Sequence, residues 1–137
     1  MKFLKVLVTL LASLAMLFTF SFDTFATDPK PNKKRGQVYF KMVCTTCHKD
    51  TAGHTIPPSD QTMQQWREYF DAGVHDTSGK TNSVLQYYVS KKYRDSIKEK
   101  NKAAKKFINL SSEQLFADVR EFAVTGAKDS DTPASCN

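Results

Sequence analysis

The chain has 137 residues and carries 20 Lys and Arg against 14 Asp and Glu, a formal net charge of +6. That length allows one small domain with a modest core, and its 3 cysteines cannot all pair within a disulfide framework, which uses thiols in twos. The basic balance suits acidic proteins or anionic surfaces as partners; nucleic acid is excluded, because the chain reads as exported and contains no recognisable binding module.

Residues 1–26 read as a signal peptide. Lys2 and Lys5 give a positive start, the run from Val6 to Phe22 is almost wholly apolar, and Thr24-Phe25-Ala26 approximates a small-x-small cleavage site. If left uncleaved, the same run approaches the length of about 20 residues that spans a bilayer, and would anchor the protein in the membrane. Residues 27–35, with Pro29, Pro31, Lys33 and Lys34, form a linker, and residues 36–126 form the domain.

From Gly36 the pattern turns helical, with Val38, Tyr39, Phe40, Met42 and Val43 leading into Cys44-Thr45-Thr46-Cys47-His48. C-x-x-C-H is the attachment signature of c-type haem. Two thiols form thioethers to one porphyrin edge, and the adjoining imidazole of His48 takes an axial position on the iron. The cysteine count agrees, since haem attachment uses Cys44 and Cys47 and leaves Cys136 over in the tail. A zinc module built on Cys44, Cys47 and His48 is the competing use of the motif, but it lacks an obvious fourth ligand.

Residues 49–59 read as a loop, punctuated by Gly53 and Pro57-Pro58. Ser59 or Asp60 is the expected cap of a helix over 61–72, whose apolar positions Met63, Trp66 and Phe70 recur at helical spacing and which Gly73 ends. Residues 74–82 form a turn-rich loop containing His75. Ser83 is the expected cap of one long helix over 84–108, with Val84, Tyr87 and Tyr88 facing inward. Its later part, from Lys91 to Lys106, is strongly basic and carries only a thin apolar stripe of Tyr93, Ile97 and Ala104. Ser111 or Ser112 caps a last helix with Leu115, Val119, Phe122 and Ala123 on one face and Glu113 suited to its N-terminal dipole. Residues 127–137 read as a polar tail. The fold class predicted is all-α.

Gly36-Gln37-Val38-Tyr39-Phe40-Lys41-Met42-Val43, running into the C-x-x-C-H motif, resembles the N-terminal segment of class I cytochromes c, in which a Gly and an aromatic four residues later precede the first haem cysteine. Asp118-Val119-Arg120-Glu121-Phe122-Ala123 is similar to the family's C-terminal helix, whose aromatic crosses against that Gly. The combination of Pro57-Pro58-Ser59-Asp60, Trp66-x-x-Tyr69-Phe70 and a tail ending in Cys136 is similar to small monohaem periplasmic cytochromes. The resemblance implies a cytochrome c-like helical domain around one covalent haem c, with segment 91–106 as an extra basic helical insertion. It also implies that the carbonyl of Pro57 or Pro58 accepts a hydrogen bond from the second nitrogen of His48, fixing the ring and raising its basicity. Trp66, Tyr69 and Phe70 are expected to pack as core or against the porphyrin; Tyr87 and Tyr88 could reach the propionates, a point the sequence does not decide.

The pattern departs from the family at the sixth ligand, because no Met follows Met63. His75 lies in a loop able to cross the distal face and is the leading choice. Met63 is the alternative, His54 belongs to the loop after His48, and Met42 reads as packing. His/Met ligation raises the reduction potential and bis-His ligation lowers it, while an open position admits small ligands or peroxide. The expected function is a periplasmic, non-enzymatic electron carrier, with segment 91–106 either a solvated helix face kept soluble by its charge or a docking face for acidic redox partners. The alternative is a haem sensor or peroxide-reactive protein with an exchangeable sixth ligand.

Overall fold

A computed structural model describes residues 29–75 and 82–135. Residues 1–26, where a signal peptide is expected, and Cys136 lie outside the described residues. The described fold is all-α, with helices α1 (Lys33–Tyr39), α2 (Thr46–Ala52), α3 (Met63–Ala72), α4 (Lys91–Ile97), α5 (Lys102–Lys106) and α6 (Ser112–Thr125). A π-helical turn, Phe40–Thr45, joins α1 to α2 in one uninterrupted helix. Short 3-10 turns occupy Pro58–Asp60 and Leu85–Val89. Among the described residues no helix is long and apolar enough to cross a membrane.

The central packing event is the crossing of α1 on α6. A Cβ at Gly36 would stand 1.9 Å from the carbonyl oxygen of Asp118, so only Gly lets the two backbones approach this closely. One turn further along, Phe40 meets Phe122 edge to face, with ring centres 5.5 Å apart. The Asp118 side chain is fully buried, where a lone carboxylate would be costly. It is satisfied by the Asn32 backbone N–H at 2.7 Å, Arg35 Nη2 at 3.0 Å, Arg35 Nε and Gln114 Nε2 at 2.9 Å. The bond to Asp118 holds the Arg35 guanidinium above its ordinary pKa.

Helix boundaries follow the capping chemistry. Asn32 caps α1 through Arg35 N, so Lys33 to Arg35 are its first turn rather than linker. Helix α3 begins at Met63 and not at Gln61, because Thr62 and Gln65 form a reciprocal capping box. Ser59 and Asp60 instead lie in the preceding 3-10 turn. Gly73 ends α3 at φ 65° and Gly53 ends α2 at φ 75°, both in the left-handed region that glycine adopts freely. Ser111 caps α6 through Gln114 N.

The single helix expected over 84–108 is instead three pieces. Ser90 caps α4 and Asn101 caps α5, and each cap has the extended backbone that interrupts a helix. Val84 is exposed rather than inward-facing, paired across an isolated antiparallel bridge with Val74. Arg94 is fully buried; its guanidinium donates to the carbonyls of Phe107, Leu110 (2.8 Å) and Ser90 (3.3 Å), clasping α4 to the chain that follows α5. Desolvation lowers its pKa. The tail folds back on the body: Ala134 N donates to Gly126 O at 2.8 Å, Ser59 N to Ala134 O at 3.3 Å, and Ala127 is fully buried.

Candidate functional site

A largely apolar cavity of about 830 Å³ opens between the α1–α2 helix, α3, α6 and the 3-10 turn Leu85–Val89. Its volume falls within the roughly 300–1,000 Å³ of small-molecule and cofactor sites. The long helix contributes Phe40, Val43, Cys44, Cys47 and His48 to one wall, and α3 contributes Trp66, Tyr69 and Phe70. Val119 and Phe116 come from α6, while His75, Tyr88 and Tyr93 complete the opposite side.

Cys44 ends up in the π turn and Cys47 in the α-helical turn after it. Both are partly buried, on the wall that also presents His48. A π turn is a frequent companion of functional sites. Burial, followed by the nearby rings of His75 and His54, lowers the pKa of His48, which keeps its imidazole neutral and able to donate a lone pair to a metal.

His75 is carried to the cavity by the bridge. Its N–H donates to Ser83 O at 2.8 Å and Leu85 N–H to Gly73 O at 2.8 Å, so the two ends of the loop are tied just where His75 leaves α3. The ring centres of His48 and His75 are 5.6 Å apart and their planes meet at 58°. Two imidazoles sharing one metal through bonds of about 2 Å would have ring centres roughly 6 Å apart. His54 is also near, 6.1 Å from His48, but it is exposed, is not part of the cavity wall, and its Nδ1 faces Ala52 O at 3.1 Å.

The remaining sequence-derived site residues separate cleanly. Trp66 lines the cavity, donates from Nε1 to Pro58 O at 2.7 Å and packs edge to face on Phe40 at 6.0 Å. Pro58 O is therefore engaged, and Pro57 O accepts from Asp60 N at 3.0 Å. Met63 faces a different groove, beside Arg67, Phe116 and Arg120, and its backbone N–H donates to Asp129 at 2.7 Å. Met42 is exposed and does not line the cavity. Tyr88 lines the cavity, and Tyr87 packs behind it with ring centres 5.4 Å apart.

Sequence reasoning missed Tyr93 as part of the site. Its ring lies 5.2 Å from that of Tyr88, and burial, with Cys47 and Cys44 adding to it, raises its pKa, so the phenol stays protonated. Among the described residues no cluster of three or more His, Cys, Asp or Glu side chains is gathered closely enough to hold a bare metal ion. The arrangement is instead two thiols on one helix and two facing imidazoles around an apolar space, which could hold a flat, metal-centred cofactor.

Comparison with protein-family models, curated proteins and solved structures finds no match to this chain.

Proposed function

We propose that the protein is an exported monohaem c-type cytochrome that carries single electrons between redox partners. The observation that carries this reading is the pair His48 and His75, facing each other at 5.6 Å beside Cys44 and Cys47 in one apolar cavity. Cys44 and Cys47 would hold the haem covalently as thioethers, and His48 and His75 would be the side chains that ligate its iron. Bound haem supplies a one-electron iron couple, at the lower potentials typical of two imidazole ligands.

The chain's own residues account for the rest of the task. Phe40, Trp66, Phe70 and Val119 exclude water from the cavity and lower the local dielectric, which is how a protein tunes such a couple. The crossing of α1 on α6 holds the cysteine-bearing helix in place, and it fits the resemblance of those two segments to class I cytochromes c.

Segment 91–106 would serve as the docking face. Asn101 Nδ2 donates to Met42 O at 2.7 Å, which fastens this basic segment to the helix bearing the cysteines. The charge on offer is smaller than the composition suggests. Arg94 is buried, and Lys91 and Lys98 pair with Asp95 at 2.8 and 3.1 Å. Lys92, Lys100, Lys102, Lys105 and Lys106 remain exposed to steer an acidic partner into brief encounters.

Optical and magnetic circular dichroism spectra of His75→Ala test the ligation. Conversion from six-coordinate low-spin haem to a five-coordinate or carbon-monoxide-binding form is expected. An unchanged low-spin spectrum would remove His75 from the iron.

A further inference from the structure

We infer that Tyr88 is a positioning residue that sets the angle of the His75 imidazole and, through it, the magnetic and redox character of the haem. The inference rests on the bis-imidazole reading above. A bound imidazole keeps one soft degree of freedom, rotation about its bond to the metal, and that rotation fixes the angle between the two ligand planes. The backbone of His75 is held by the bridge to Ser83, but a backbone bond does not by itself set the angle of the ring. Tyr88 supplies a contact on the ring itself.

The Tyr88 ring packs on His75 with centres 4.6 Å apart and planes at 40°, among the closest ring separations in the site and within the range of offset aromatic contact. Tyr88 is itself held at three points. Its hydroxyl donates to Asn82 O at 2.9 Å. Tyr93 and Tyr87 abut its ring edge-on, at 5.2 and 5.4 Å, and touch each other at 5.4 Å, closing a triangle. Turning the imidazole would push its edge into a ring that cannot retreat. The resulting crossed arrangement, with His75 at 58° to His48, is a property this wall imposes.

The angle has an observable consequence. Parallel axial imidazoles split the iron d orbitals strongly and give a rhombic low-spin spectrum; crossed planes reduce the splitting and give one dominant, large g value. Electron paramagnetic resonance of the ferric holoprotein therefore reads the angle directly. The wild-type protein is expected to show the large-g form and Tyr88→Phe, which keeps the flat ring, to retain it. Tyr88→Ala should remain low-spin and six-coordinate, but with its largest g value lowered and broadened as the imidazole samples other angles. Loss of one aromatic contact should also speed displacement of His75 by cyanide, by up to about tenfold.

A Tyr88→Ala spectrum identical to wild type would overturn the inference while leaving bis-imidazole ligation intact. An equal shift in Tyr88→Phe would overturn it too, since the hydroxyl bond and not the ring face would then be responsible. If His75→Ala keeps the wild-type low-spin signal, the ligation itself is wrong. Should Tyr88→Ala fail to yield folded holoprotein, Tyr88→Leu fills the wall without a flat face and is read by the same criteria.

Discussion

Gly36→Ala isolates the contact on which the helical frame depends. The added Cβ would lie 1.9 Å from Asp118 O and 2.5 Å from Asp118 C. Ordinary contact starts near 3.4 Å, so the two backbones must part by about 1.5 Å. Intrinsic propensity works the other way, since Ala is favoured over Gly inside a helix by about 0.8–1.0 kcal/mol. Overpacking costs about 1–3 kcal/mol, and the upper end applies because the obstruction is backbone and cannot swing aside. Separation also weakens the Phe40–Phe122 contact, a loss of about 0.5–1.5 kcal/mol, and strains the bonds from Asn32 and Arg35 to Asp118. The net expectation is a destabilisation of about 3 kcal/mol, or a fall in Tm of about 12–24 °C for a domain of this size. Thermal unfolding followed by far-ultraviolet circular dichroism measures it. Gly53→Ala is the control: no atom lies within 4 Å of its Cβ, and only the left-handed backbone is strained, at about 1–2 kcal/mol. A Gly36→Ala protein as stable as wild type, or more so, would refute the close crossing.

Other outcomes follow from the same structure. Because burial lowers the His48 pKa, the folded haem-free protein binds fewer protons than the unfolded chain, and stability rises with pH through this group. Urea midpoints of the haem-free protein should therefore fall as pH drops below about 6.5, and His48→Gln should flatten that fall; an equal pH slope in both would exclude His48 as its source. Arg94→Leu removes a guanidinium bonded to three carbonyls and leaves buried acceptors behind, so a loss of about 3 kcal/mol is expected in chemical denaturation. Lys100→Glu combined with Lys102→Glu should slow electron transfer to an acidic partner at low salt, with the difference fading above about 0.15 M ionic strength. A rate independent of both charge and salt would dismiss the docking face.

The sequence made the close helix crossing legible because its signals are local and steric. Gly36 and Phe40 stand one turn apart, as do Asp118 and Phe122, and Ser111 and Gly73 carry the usual caps. The C-x-x-C-H run likewise puts two thiols and an imidazole on one continuous helix through adjacent residues. What escaped was decided at a distance. Asp118 reads as an ordinary surface acid until Asn32 and Arg35 arrive from the other end of the chain. Arg94 sits in a run of exposed lysines, and only the carbonyls of Phe107 and Leu110 make its burial tolerable. The breaks in segment 84–108 had signals in Ser90 and Asn101, outweighed in the reading by a continuous helical composition. The π turn has none, since the same side chains suit either hydrogen-bond register.

The central claim is that Cys44 and Cys47 hold a haem covalently. The direct measurement is the pyridine haemochrome spectrum of the purified protein, before and after extraction with acidified organic solvent. A c-type spectrum that stays with the polypeptide through extraction, and is lost in the Cys44→Ser, Cys47→Ser double variant, is the predicted result. A protein with no haem absorption, or with haem that leaves into the organic phase, would contradict the account.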